Sequence, residues 1–500
     1  MSRIFSLLIA SALLTAPALL GAKDKVVAQQ TAVQPRAVSL VRVNVTGQAF
    51  DYFRPWQKRA PFTKRALGAV LSQGRVLVTA DLVSNQNYVE LEQSESGEKM
   101  AATVEVIDYE ANLALLQPED KKFLDGMAPL EIATDTAVGD RLSVLQLEST
   151  GTLVMSDGLL TGVQVTRYPT DVGEFLTYRV SIALQYRDNS YTVPLIKNNK
   201  LAGLLLRYDP RSQVMDVIPP AVITHFLKDA GSATYGGFPS VGFDYFPTRD
   251  PQLRKYAGET GNGGGVYVTG IEPGAAVQKA GLQVGDIVTG IGDFAIDQNG
   301  NYNDPVFKKL SFTNLLTTRA FVGDKVPFKV LRQGQELPLE VTLVHRAPED
   351  YVVPPYSRDA APKYFVLGGI FFQELTRQYL REFGANWMKE APPRFVYLDR
   401  FQWEIFPEGQ RRVVILSQVL PTNATLGYDD VGYAVVTKVN GKEIYSLRDL
   451  TDATRESSDG FIKIETEEDP KLIILDAAQV RAEERGLRES YGIPSLQRLE

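Results

Sequence analysis

Ser190 sits in the run Arg-Asp-Asn-Ser-Tyr-Thr-Val-Pro-Leu at 187–195 and carries a hydroxyl of the type that acyl transfer uses as a nucleophile. Such a hydroxyl is weak until a base within hydrogen-bond reach takes its proton, and the base needs a third group to orient it. The chain offers 2 histidines for that role, His225 and His345. His225 falls in "PPAVITHFLKDA", which reads as a helix, and His345 ends a strand-rich stretch, so both read as core or surface residues. With Cys 0 the chain has no disulfide, no thiolate metal site, no cysteine nucleophile and no lipidated cysteine. Two other stretches invite ligand readings and fail them. "GNGGG" at 261–265 lacks the spacing of a dinucleotide loop and opens a strand. "DQNGNYND" at 297–304 has no glycine at the sixth position of a calcium loop and Lys308 where its last glutamate belongs. No metal site and no cofactor are expected.

A reactive loop needs rigid elements around it, and the surrounding sequence is rich in strands. From Val38 to about Lys228, β-branched runs such as "VSLVRVNV", "GRVLVTADLV" and "LTYRVSIAL" alternate with turns, which predicts an all-β sandwich or a pair of barrels. A second unit, 235–346, contains "GGGVYVTGIEPGAAVQKAGLQVGDIVTGIG" and ends in a hairpin that turns at "RQGQE". The Pro-rich stretch 347–362 reads as a linker. A third unit, 363–480, alternates strands again and has similar length and pattern to the second. Residues 481–500 read as a charged helical tail.

Five hundred residues, 44% hydrophobic and 23% charged, predict a soluble chain of about two to four domains. A net charge of -7 and a pI near 5.3 argue against nucleic acid as a partner. Residues 1–22 read as a secretory signal: Arg3 supplies the charge, Ile4 to Leu14 the apolar stretch, and Ala16-Pro17-Ala18 or the region of Ala22 the cleavage site. The alternative is an uncleaved anchor, for which the apolar run is short. Residues 23–37 read as a polar linker. The chain is therefore expected to be exported, with the bacterial periplasm as the best fit and no membrane span after cleavage.

"DYFRPWQKR", "VLVTADLV", "ANLALL" and "NSYTVPL" in the first unit resemble the Deg/HtrA family of serine proteases. The second unit contributes "GGFPSVGF", "DPQLRKY" and "PGAAVQKAGLQVGDIV"; the third contributes "FVLGGIFFQELTRQYLREFGANW" and "VTKVNGKEIYSLRDL". The resemblance is to the plant-type subgroup with two PDZ modules, and it spans nearly all of the mature chain. It implies a mainly β fold, a trypsin-like double β-barrel at 38–231 followed by PDZ-like domains at 235–346 and 363–480.

It also implies where a catalytic triad would stand. Laid over the family pattern, the histidine position holds Asp81 (Leu82 if the frame slips by one), the aspartate position Asn112, and the serine position, counted back from Pro194, Tyr191. Ser190 is its neighbour, and Thr192 and Val193 replace the two glycines that help shape an oxyanion hole. The expected protein is a pseudoprotease. The alternative is an active serine endopeptidase with a rearranged site, in which Ser190 works with Asp81 or a nearby lysine.

The peptide-binding side of the resemblance is better preserved. A PDZ domain takes a peptide as an added strand and holds its terminal carboxylate on loop amides. That loop falls at Ser240, Val241, Gly242 and Phe243, with the helix near Ala275 as a wall of the groove. In the third unit it falls at Leu367, Gly368, Gly369, Ile370 and Phe371, where internal docking or an oligomer contact competes with external peptide. The resemblance marks Tyr52, Phe53 and Trp56 as candidates for a contact between protomers, against packing within the core. The implied partners are peptides or protein C-termini, further copies of the chain (a trimer or a multiple), and an active Deg protease in mixed oligomers.

Overall fold

Valines 41, 43 and 45 recur every second residue, which puts all three on one face of an extended strand. In the structure, a computed structural model that describes residues 39–94, 96–147, 152–184, 191–259, 263–409, 411–457 and 459–500, that strand is β1 (Leu40–Gly47). The signal and linker expected at 1–37, and Ser190, lie outside the described residues. β1 joins β2 (Phe62–Leu71), β3 (Arg75–Val78), β4 (Gln86–Gln93), β5 (Lys99–Asp108) and β6 (Leu113–Pro118) in a closed barrel of order β1-β2-β3-β6-β5-β4. The three valines point inward with Val76, Val78, Leu91 and Leu116. The outward Arg42 and Asn44 reach Glu92 on β4, at 2.7 and 3.2 Å. A short helix, α1 (Ala80–Val83), follows β3.

A second closed barrel, β10-β11-β12-β9-β8-β7, is built from β7 (Arg141–Leu147), β8 (Leu153–Arg167), β9 (Glu174–Ser181), β10 (Pro194–Lys197), β11 (Lys200–Asp209) and β12 (Val214–Ile218). β2 runs against β7 and β10, so the two barrels share a seam. The helix α2 (Pro220–Ala230) starts on a proline, whose missing N–H is no loss in a first helical turn.

The chain continues through β13 (Phe243–Pro247), α3 (Pro251–Tyr256), β14 (Val266–Ile271), α4 (Ala276–Lys279), β15 (Ile287–Ile291) and β16 (Phe294–Ala295). The hairpin β17 (Asn301–Asp304) and β18 (Lys308–Ser311), α5 (Thr313–Leu316), β19 (Lys325–Arg332) and β20 (Gln335–Thr342) follow. The sheet has the order β13-β14-β15-β19-β20, which leaves β13 as an edge. Gln333 and Gly334 turn the β19–β20 hairpin with φ of +50° and +82°, the backbone twist that matches paired strands.

An eight-stranded sheet closes the chain in the order β27-β26-β24-β23-β22-β21-β28, with β25 (Lys442–Glu443) paired to β24. Its path strands are β21 (Tyr364–Leu367), β22 (Ile370–Glu374), β23 (Val414–Val419), β24 (Ala434–Val439), β26 (Phe461–Thr466), β27 (Leu472–Asp476) and β28 (Gln497–Arg498). Between β22 and β23 lie four short helices, α6 (Arg377–Arg381), α7 (Trp387–Glu390), α8 (Pro393–Arg400) and α9 (Gln402–Ile405). They form a core of their own from Tyr379, Leu380, Trp387, Phe395 and Leu398, joined by Tyr52 from the first unit. α10 (Leu447–Thr454) precedes β26. α11 (Ala477–Tyr491) is capped by the Asp476 carboxylate, which accepts from the amides of Ala478 and Gln479. The expected helical tail is therefore only partly helical. Gly492 at φ +62° and Pro494 end the helix, and residues 497–498 return as the strand β28.

Candidate functional site

Asp81 lies on α1, Asn112 in the β5–β6 turn, and Tyr191 just before β10. The barrel seam gathers these elements. The Thr79 amide donates to Thr192 Oγ1 at 2.9 Å, and the two threonine hydroxyls meet at 2.8 Å, so the end of β3 is tied to the loop that precedes β10. Asn112, buried and at φ +55°, accepts the Asp81 amide on its Oδ1 at 2.9 Å. The backbone of Asp81 accepts Lys64 Nζ at 2.6 Å, and the same ammonium sits 4.6 Å from the centre of the Tyr191 ring. Tyr191 packs against the core of the first barrel.

The Asp81 carboxylate is paired with Arg358, a residue of the 347–362 stretch. That guanidinium also lies 5.2 Å from the Tyr109 ring. The next residue, Asp359, accepts from the Asn85 amide and the Tyr109 hydroxyl. The Ser357 carbonyl accepts the Tyr52 hydroxyl at 2.6 Å. Ser357, Arg358 and Asp359 thus run past α1, bonded to Tyr52, Asp81, Asn85 and Tyr109. Burial lowers Lys64 to about 8, only partly offset by the charge of Asp81. Asn112 Oδ1 is committed to the Asp81 amide and the Asp81 carboxylate to the connector, while the Tyr191 ring meets the Lys64 ammonium.

The two histidines lie elsewhere, both beside Phe238. The His225 ring lies between Phe238 and Phe321 at 4.2 and 4.0 Å, with Nδ1 3.0 Å from the Thr318 carbonyl. His345 Nδ1 lies 2.9 Å from the Phe238 carbonyl. Burial pushes His225 below its ordinary range. Both rings serve the junction between α2 and the sheet that begins with β13.

At the second unit's loop, the Ser240 amide is used by the Val344 carbonyl at 2.9 Å. The Val241 and Gly242 amides donate to no partner among the described residues. Gly242 is at φ +77°, and a Cβ there would lie 2.8 Å from Ala275 Cβ. Phe243 stacks on Phe312 at 5.9 Å, and Tyr245 meets the same ring at 4.8 Å. Phe312, the residue before α5, thus packs on the inner side of β13. Ala275, at the start of the helix expected as a wall of the groove, lies against Gly242 of the loop, and α4 packs on β20. α5 is anchored to β9: Thr317 Oγ1 donates to the Glu174 carbonyl at 2.9 Å. The outer edge of β13 is unpaired in its sheet.

The third unit's loop is arranged differently. Gly368 and Gly369, at φ +62° and +119°, form a two-residue turn joining β21 to β22. Ile370 and Phe371 are fully buried core residues rather than the lining of an open pocket. β22 is paired on both sides, by β21 and β23, and the outer edge of β21 takes β28. β28 covers the outer edge of β21 at Tyr364 and Phe365, and the Val366 amide donates to the Leu496 carbonyl at 2.7 Å.

Tyr52, Phe53 and Trp56, candidates for a protomer contact, are occupied within the chain. Tyr52 is 6% exposed, Phe53 makes edge contacts with Tyr379 and Phe383 at 5.6 and 5.2 Å, and Trp56 packs on Phe371 at 4.6 Å. Large aromatic surfaces gain most where an apolar partner is always present, and the 377–405 insertion supplies one. Lys64, Arg358 and Asp359 were not singled out from sequence. Arg358 and Asp359 sit in a Pro- and Tyr-rich connector with no periodicity, so only a charged pair amid apolar residues marked them.

Among the described residues no group of three or more His, Asp or Glu is placed to hold a metal ion, and no helix is long and apolar enough to cross a membrane. A PDZ-domain family model matches residues 353–497. Protease Do-like 2, chloroplastic, of Arabidopsis thaliana is 25% identical over 462 residues, covering 91% of this chain and 74% of its own length. Protease Do-like 4, mitochondrial, of the same plant is 24% identical over 460 residues, covering 91% and 84%. Among solved structures, the HtrA-type protease AlgW with decapeptide aligns with a TM-score of 0.47 at 15% identity, covering 62% of this chain and 97% of that one.

Proposed function

The chain belongs to the Deg/HtrA family of proteases with PDZ domains, and from that premise we propose that it is an exported member that has lost proteolysis and kept peptide binding. Residues 38–231 are on this reading the degenerate protease unit, with PDZ-type units at 235–346 and 363–480. One observation carries the loss of catalysis: no imidazole stands at the seam, where Asp81 is paired with Arg358 and Asn112 is bonded to the Asp81 amide. Without a base, neither Tyr191 nor Ser190 has a way to shed its proton at neutral pH. The threonine and valine that replace glycines after Tyr191 remove backbone freedom from the oxyanion region.

Peptide capture is assigned to the second unit, where the unpaired edge of β13 adjoins the two uncommitted amides of Val241 and Gly242. A free C-terminus would add as a strand along Phe243–Pro247, with its carboxylate on those amides and its last side chain against Phe243 and Phe312. The third unit, its edge already paired, serves as internal structure. Export to a periplasm rests on the composition of residues 1–22, and N-terminal sequencing of the mature protein tests it. Homo-oligomers, and mixed oligomers with an active relative, remain part of the proposal and are read by the mass of the purified particle.

The test is direct. Purified protein should take up no fluorophosphonate probe and leave β-casein uncut, while binding C-terminal peptides in a manner abolished by Val241→Asp. Casein cleavage that disappears in Ser190→Ala would instead establish the rearranged endopeptidase, for which Lys64 beside Asp81 is the available base.

A further inference from the structure

The β5–β6 corner buries two carboxyl groups two residues apart, Asp108 at 7% and Glu110 at 6% exposure. Neither takes part in an ion pair among the described residues. Each instead receives a tyrosine hydroxyl from a different connector. Tyr235, from the segment that leaves α2, donates to Asp108 Oδ2 at 2.5 Å. Tyr356, from the 347–362 segment, donates to Glu110 Oε1 at 3.2 Å. Tyr356 also leads directly into Ser357, Arg358 and Asp359, the residues that lie across the seam. One corner of the first barrel thus holds the chain at both exits toward the later units.

We propose that the Asp108–Asn112 corner is a proton-dependent latch: with a proton on Glu110 it holds both connectors on the first barrel, and on ionisation of Glu110 it releases the second connector from the seam. A carboxyl at Glu110, buried beside the Asp108 carboxyl and with no ion-pair partner among the described residues, does not ionise cheaply, because its charge would lose hydration and face a like charge. Hydrogen bonds relieve the pair only in part: the Ala111 amide donates to Asp108 Oδ1 at 2.7 Å, and the Tyr356 hydroxyl to Glu110 works against its burial. Tyr235 has Asp229 behind it, with His225 and Lys228 on the same helix; Tyr351, Tyr356 and Glu349 come from the second connector. Burial first, and then the charge of Asp108, raise Glu110 well above the ordinary carboxylate range. Burial and the neighbouring carboxylates likewise push Tyr235 and Tyr356 upward, so both remain donors.

The sign follows from linkage. A carboxyl whose folded pKa is raised contributes stability that is present below the ordinary value of 4.5 and lost as pH rises through the folded value. The latch therefore loosens on the alkaline side. Hydrogen exchange of residues 351–359 in the full chain, read by mass spectrometry across pH 5–9 and corrected for intrinsic rates, measures it. Between the ordinary value of 4.5 and the folded value, protection should fall by up to about tenfold per pH unit and level off above it, and Glu110→Gln should reduce that slope to less than about twofold. Tyr356→Phe keeps the carboxyl pair and should lower protection at every pH. An unchanged pH slope in Glu110→Gln, or unchanged protection in Tyr356→Phe, would overturn the latch. Circular dichroism of both variants confirms that the readout is of folded protein.

Discussion

Gly242→Ala isolates the geometry on which peptide capture depends. At φ +77°, a residue with a Cβ is strained in the left-handed region by about 1–2 kcal/mol. The new methyl would also sit 2.8 Å from Ala275 Cβ, and both atoms are fixed directly to backbone, so neither can rotate away. Overpacking of that kind costs about 1–3 kcal/mol. The sum, about 2–5 kcal/mol, falls on the loop that presents the Val241 and Gly242 amides, and at about 1.4 kcal/mol per decade it should weaken a C-terminal peptide by tenfold or more. The two costs separate by rescue. Ala275→Gly removes the methyl contact and leaves the backbone strain, so the double variant should recover about 1–3 kcal/mol as a coupling energy. Fluorescence anisotropy of a labelled peptide and scanning calorimetry read binding and stability on the same four proteins. A coupling below about 0.5 kcal/mol would mean that the loop moves off Ala275, and would refute the reasoning.

Other outcomes follow from the packing. Phe53→Ala should destabilise the chain by several kcal/mol, up to the roughly 3–5 kcal/mol of a fully buried ring, because its ring meets Tyr379 and Phe383; sedimentation should show the particle mass unchanged. His225 is held below its ordinary range by burial. Its contribution is present above the ordinary value of 6.5 and lost as pH falls through the folded value, so denaturation midpoints should drop between pH 7 and pH 5, less so in His225→Phe. The Tyr428 hydroxyl accepts the Ile474 amide at 3.1 Å and reaches its carbonyl at 3.4 Å, which covers the outer edge of β27. Leu472 and Ile474 are exposed on that strand, so Tyr428→Phe should raise self-association seen by light scattering.

Much of the fold was legible because the barrels obey a short-range rule. The "VSLVRVNV" alternation becomes β1 with its valines inward, and "RQGQE" becomes a two-residue turn. The family and its mainly β architecture were readable from motifs that keep their spacing. The four helices of 377–405 were not, since each spans at most eight residues and shows too little periodicity to declare a buried face. Nor were the partners of Tyr52 and Trp56, which lie some three hundred residues away. At the seam, the loss of histidine could be counted from composition, whereas the guanidinium that meets Asp81 could not. Arg358 reaches its place through tertiary packing of a connector, and no local pattern encodes that.

The pairing of β28 with β21 has a consequence for biosynthesis. The strand that completes the last sheet consists of residues 497–498, and Arg498 donates to the Pro55 carbonyl at 3.1 Å, across 443 positions of chain. Trp56, beside that carbonyl, rests on Phe371 of the same sheet. Tyr52–Trp56 is therefore synthesised about three hundred residues before Ser357, Phe371, Tyr379 and Phe383, the groups that seat it. In a nascent chain that has emerged only as far as the two barrels, this aromatic segment has no seat, which makes it a natural client for a holding chaperone.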